Sequence, residues 1–113
     1  MKIKSYTQDD IVVLVPEGRI MPGKDVGELD ERFYSLLRNG QKKVIMDLKS
    51  ISWFGSSGIT LLIHHNCKFK ELGGHLKLAN LTNKIQEIMS ICKLALVFEI
   101  YDSLEAALNS FEK

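Results

Sequence analysis

Two serines between two glycines, Gly55-Ser56-Ser57-Gly58, are the residues of this chain whose type and spacing could carry chemistry. A strand-like run, "KKVIMDL", precedes them by a few residues, Trp53 and Phe54 lead directly into them, and an apolar pattern of helical period begins at Ile59. A serine at a strand-to-helix turn can act as a nucleophile, cap the helix, or accept a phosphoryl group. A nucleophile elbow needs Gly-x-Ser-x-Gly. Centred on Ser57 the frame has Gly55 but Ile59, and centred on Ser56 it has Phe54 and Gly58, so both frames fail. A triad would also need a histidine and an acid from later strand ends, whereas His64 and His65 lie in the same helical stretch and His75 lies near a turn. No catalytic residue is expected. The two remaining chemistries share one cause, because the first N–H groups of a helix lack intrahelical partners and carry partial positive charge. A serine there can cap the helix, and a phosphate on it would be welcome electrostatically.

Other chemistry-bearing residues give weaker signals. His64, His65 and Cys67 sit close together on one helix, but no second cluster stands at ligand spacing, so solvated histidines and no bound metal are expected. "ELGGHLK" follows a helix and opens a strand, the reverse of the context that phosphate-cradling loops need, and Gly73-Gly74 reads as a helix stop. No cofactor is expected. Cys67 and Cys92 are too few for a disulfide framework and are read as reduced thiols on buried helix faces. The apolar loop tips Met21, Pro22, Trp53 and Phe54 can be either core edge or docking patch.

The elements that position these residues follow from period and punctuation. "KIKSYT" and "IVVLVPEG" read as an antiparallel pair over residues 2–17, turned at "QDD" and ended by Gly18. Val26, Leu29, Phe33, Leu36 and Leu37 recur at helical spacing up to Asn39-Gly40. "KKVIMDL" is a strand. The helix from Ser56 buries Ile59, Leu62 and Ile63 and becomes wetter toward Gly73-Gly74. "HLKLAN" is a strand, and Ile85, Ile88, Met89 and Cys92 mark a third helix capped by Thr82 or Asn83. "LVFEIY" is the last strand, and Asp102 with Glu105 three residues later reads as a capping box for a final short helix. The order ββαβαβαβα implies an α/β fold: a mixed, mostly parallel sheet with an N-terminal antiparallel edge strand and helices packed on it.

Size and charge exclude several classes. A chain of 113 residues suits one domain, 1–113, and 45% hydrophobic with 26% charged residues suits a globular one. Fifteen basic against fourteen acidic residues, with no basic stripe carrying aromatics, argue against a direct nucleic-acid partner. "MKIKSYTQDD" lacks the apolar core of a signal peptide and no run approaches membrane-span length, so a cytoplasmic location is expected.

The segments "VLVPEGRIM", "VIMDLKSISWFGSSGITLLI" and "KELGGHLKLANLTNKIQEIMSICKLALVFEIYDSLEAAL" together resemble the STAS domain, and most closely the single-domain bacterial anti-sigma factor antagonists. In that family a strand ends in Asp-Leu, and an aromatic or apolar pair then precedes Asp-Ser-Ser/Thr-Gly and an apolar helix. Asp47, Leu48, Trp53, Phe54, Ser56, Ser57 and Gly58 match. The resemblance implies a non-enzymatic, phosphorylation-switched interaction module. Its phosphoacceptor would be Ser56, with Ser57 as second choice. Its docking face would be Met21, Pro22, Trp53, Phe54, Gly55, Ser56, Ser57 and Gly58. Its partners would be a GHKL-type serine kinase that is also an anti-sigma factor, and a PP2C-type phosphatase; the chain itself would be a monomer or weak dimer. A STAS accessory subunit of a signalling or lipid-transport complex, not phosphorylated, is the alternative. Two family acids are replaced here, by Gly55 before the serines and by Met21 after "EGR".

Overall fold

The computed structural model describes residues 2–111, so residue 1 and residues 112–113 of the expected domain lie outside it. Strands β1 (Lys2–Gln8) and β2 (Ile11–Ile20) form the expected antiparallel hairpin, in register from Lys2↔Glu17 to Gln8↔Ile11. Helix α1 (Lys24–Arg38), strand β3 (Lys43–Asp47), strand β4 (Ile51–Phe54) and helix α2 (Ser56–Glu71) follow. Strand β5 (His75–Ala79), helix α3 (Asn83–Ile91), a 3-10 turn (Leu94–Leu96), strand β6 (Glu99–Tyr101) and helix α4 (Leu104–Ser110) complete the described chain. The sheet runs β1-β2-β3-β5-β6, parallel except for β1, as the alternation of strands and helices predicts.

Strand alternation sorts the apolar side chains into two cores. Leu14, Val44, Met46, Leu76 and Leu78 pack against Leu29 and Phe33 of α1, Leu62 and Phe69 of α2, and Ile85 and Met89 of α3. The alternate positions Ile11, Val13, Val15, Ile45 and Ala79 meet Ala107 and the half-buried Leu104, Leu108 and Phe111 on the other face. Each fully buried large side chain contributes about 1.5–3 kcal/mol. On the α4 face Lys77 is also buried; its ammonium donates to Ser110 Oγ at 2.6 Å and stands 4.0 Å from the Phe111 ring centre.

Four expectations are corrected. Gly18 does not end β2. The strand's pairing with β3 ends at Leu14, and from Gly18, at φ +91°, it pairs with β4, an element the period missed, with a register shift between Gly18 and Arg19. Residues 96–98 are not strand, because Lys93 turns at φ +58° into the 3-10 turn and β6 begins only at Glu99. Helix α4 is capped by Ser103, whose Oγ accepts from the Ala106 N–H at 3.0 Å, rather than by Asp102. Cys67 and Cys92 are exposed, not packed: Cys67 faces away from the buried row Leu62, His65, Asn66 and Phe69, and Cys92 lies past the last turn of α3.

Candidate functional site: the β2/β4 exit and the first turn of α2

Asp47, fully buried at the end of β3, holds the approach to the serines. Its Oδ1 accepts from the Lys49 N–H and from Asn80 Nδ2, both at 3.1 Å, tying the turn before β4 to the end of β5. Strand β4 then pairs in parallel with the end of β2, with Arg19 opposite Trp53 and Ile20 opposite Phe54. Both chains leave the sheet side by side. One continues as Met21-Pro22-Gly23 into α1, and the other as Gly55 into α2.

The serines do not cap α2. Gly55 is the N-cap residue, extended at φ −92°, ψ −178°, and Ser56 and Ser57 are the first two helical residues. Among the described residues no group hydrogen-bonds the Ser56 hydroxyl, which lies in an exposed residue; the Ser56 carbonyl accepts from Thr60 Oγ1 at 3.0 Å. No acidic residue occupies the first turn of α2. The hydroxyl thus stands at the positive end of a 16-residue helix, open to a modifying enzyme.

Of the residues expected to form the docking face, Met21, Pro22 and Ser56 are exposed and Trp53, Gly55 and Ser57 are half-buried. Phe54 and Gly58 are interior and support the surface from beneath: a β-carbon on Gly58 would stand 3.2 Å from the Phe54 ring. Met21 is 42% exposed, and its N–H donates to Asp25 Oδ2 at 2.9 Å, which fixes the turn into α1. The Trp53 ring lies across Gly55, where an added β-carbon would be 2.5 Å from its Cη2, and the Arg19 guanidinium sits 5.7 Å from the ring centre. Sequence reasoning did not single out Arg19. Its place just beyond Gly18, alternating with buried Ile20, is the signal that points it outward.

Beside Ser57 a cleft of about 450 Å³ opens between α1 and α2, lined among others by Val26, Asp30, Thr60 and His64. The contact between α1 and α2 corrects the histidine reading. His65 is fully buried, stacked on Phe33 with ring centres 4.7 Å apart, and its Nε2 is 2.7 Å from Asp30 Oδ1. A carboxylate only accepts, so Nε2 carries the proton and Nδ1, which has no partner, is a bare lone pair. Burial lowers the His65 pKa below its usual value, against the opposing pull of Asp30. His64 is exposed and shares a 2.8 Å hydrogen bond with the Tyr34 hydroxyl. Both rings are engaged in joining α2 to α1. No group of three or more possible metal ligands occurs among the described residues, and no described helix is long and apolar enough to cross a membrane.

Comparison with known proteins places this geometry. The chain is 20% identical over 112 residues to BtrV of Bordetella bronchiseptica, named as an anti-sigma factor antagonist, across 99% of this chain and 96% of the relative. It superposes on a Thermotoga maritima protein described as an anti-sigma factor antagonist with a TM-score of 0.92 at 19% identity, covering 98% of this chain and 95% of that one. It superposes on the phosphorylated form of the Bacillus cell-fate determinant SpoIIAA with a TM-score of 0.76 at 15% identity, covering 97% and 99%. The STAS domain pattern itself matches residues 2–107, and on that near-complete match the chain belongs to the STAS domain family.

Proposed function

We propose that this chain is an anti-sigma factor antagonist, a non-enzymatic module that binds an anti-sigma serine kinase while Ser56 is unmodified and releases it once Ser56 is phosphorylated. The observation that carries the proposal is the exposed, uncommitted Ser56 hydroxyl at the first helical position of α2, flanked by Met21, Pro22 and Trp53. The names of the relatives support the same reading. In the forward step Ser56 Oγ attacks the γ-phosphorus of ATP bound by the kinase, forming the phosphoester and releasing ADP and a proton. In the reverse step a PP2C-type phosphatase hydrolyses the ester to serine and inorganic phosphate.

The electrostatics suit a switch. Phosphorylation adds roughly −1.5 to −2 charges at neutral pH, and the helix end tolerates them in the free protein. In a packed interface the same charges must be desolvated, at a cost of several kcal/mol, where about 1.4 kcal/mol is tenfold in affinity. The fold survives while the complex fails.

The test is incubation with a purified GHKL-type anti-sigma serine kinase of the same organism, ATP and magnesium, followed by intact-mass and peptide mapping. One phosphoryl group on Ser56, absent in Ser56→Ala, and a complex lost in Ser56→Asp are expected. No added phosphate, with equal binding by Ser56→Asp, overturns the switch and favours an accessory subunit that works without phosphorylation.

A further inference from the structure

We propose that the partner surface seated over Ser56 is acidic, setting carboxylates against Arg19 and an apolar side chain on Met21 and Trp53. The inference rests on the switch reading for where the partner sits, and adds what its surface is made of.

Charge on this face is cationic for local reasons, although the chain's net charge is only +1. Arg19 is exposed and held over the Trp53 ring, so its guanidinium is presented rather than free to wander. Lys24 opens α1 nearby and is exposed. The first turn of α2 has no acid to offset its own partial positive charge. The α1 carboxylates near the face are already engaged: Asp25 accepts from the Met21 N–H, and Asp30 accepts from His65. The family's usual acid before the serines is sterically displaced, because the Trp53 ring occupies the space into which a side chain at Gly55 would start. The same ring thereby shuts out an anion and steadies a cation.

Exposed Met21 and half-buried Trp53 flank the cation, giving the mixed apolar and charged surface that suits a folded acidic protein. Arg19 and Lys24 alone are too few for a polyanion such as nucleic acid. The assignment also sharpens the switch: phosphate on Ser56 would cancel the cationic field and repel the partner's carboxylates, so one modification acts twice.

Two measurements test this. First, the same purified kinase is titrated with the parent chain, Arg19→Glu, Ser56→Asp and Lys42→Glu. Lys42→Glu is a matched charge change at the opposite end of β3. Arg19→Glu is expected to weaken binding at least about tenfold and Lys42→Glu less than about twofold, with parent affinity falling as salt rises. Loss with Ser56→Asp but parent-like binding by Arg19→Glu overturns the acidic partner and leaves the switch standing. Loss with Arg19→Glu but not with Ser56→Asp does the reverse, and no binding by the parent overturns both. Second, fluorescence of Trp53, the sole tryptophan, is quenched in the isolated chain by iodide and by caesium at low salt. The iodide-to-caesium quenching ratio is expected to exceed that of free N-acetyltryptophanamide, with the excess shrinking in Arg19→Ala; a ratio equal to that of the free amide overturns the cationic face without any partner.

Discussion

The Trp53 ring crosses Gly55 so closely that a β-carbon there would meet Cη2 at 2.5 Å. Gly55 is extended and could hold any side chain as far as its backbone is concerned, so the glycine is required by its neighbour and not by its dihedral angles. Gly55→Ala should therefore swing the half-buried ring outward, costing about 1 kcal/mol in strain and lost stacking. Gly55→Asp should swing it equally but regain a few tenths of a kcal/mol as a better N-cap. A red-shifted Trp53 emission in both variants, with the larger fall in denaturation midpoint for Gly55→Ala, is the expected result. Unshifted emission would refute the steric account.

Ser56→Asp should stabilise the free chain while weakening its complex. The first turn of α2 has no acid, and a negative charge at a helix N-terminus is worth about 0.3–1 kcal/mol at low ionic strength. Urea denaturation of parent and variant in dilute buffer and in high salt reads it out; the gain should shrink as salt is added.

Two helices are each capped by one hydroxyl. Thr82 Oγ1 accepts from the Ile85 N–H at 3.3 Å to start α3, and Ser103 starts α4 in the same way. Thr82→Ala and Ser103→Ala should each cost about 1 kcal/mol, whereas Thr82→Ser should be nearly neutral. Amide exchange should also speed up locally, in α3 for the first variant and in α4 for the second.

His65 makes stability fall on acidification. Its folded pKa lies below the ordinary value of 6.5, so below pH 6.5 the unfolded chain binds a proton that the folded chain still refuses. The contribution is intact above that value. It is lost as the pH drops from 6.5 toward the folded pKa, with a slope of at most about 1.4 kcal/mol per pH unit for one group. His65→Phe, which keeps a ring on Phe33, should lose less stability between neutral pH and pH 5 than the parent does. Parallel pH profiles of the two proteins would remove His65 as the cause.

Hydrophobic period made most of the fold readable, since Leu29 and Phe33 in α1 and Leu62 in α2 pair one face of each helix with one face of the sheet. Strand β4 escaped it because four residues are too short for a period, and its partner is the tail of β2 beyond the part that pairs with β3. His65 escaped because a histidine becomes a core residue only when a distant chain segment supplies its partner, here Asp30. The α4 cap escaped because Asp102 and Ser103 are adjacent candidates, and the backbone chose the second. The strand-to-helix turn that carries Ser56 and Ser57 was legible from spacing, whereas the choice of Ser56 and of the apolar tips as a docking face rests on the family resemblance. Arg19 acquired its meaning only when the strand register set it opposite Trp53.

Strand β1 closes one side of the sheet, and Lys2 and Lys4 stand exposed along it. Two copies approaching rim to rim would bring ammonium groups together before any backbone hydrogen bond could form. The ends of β2 and β4, where the proposed partner docks, are left free, while ribbon-like self-assembly along the flank is discouraged and the supply of single copies is spared that drain.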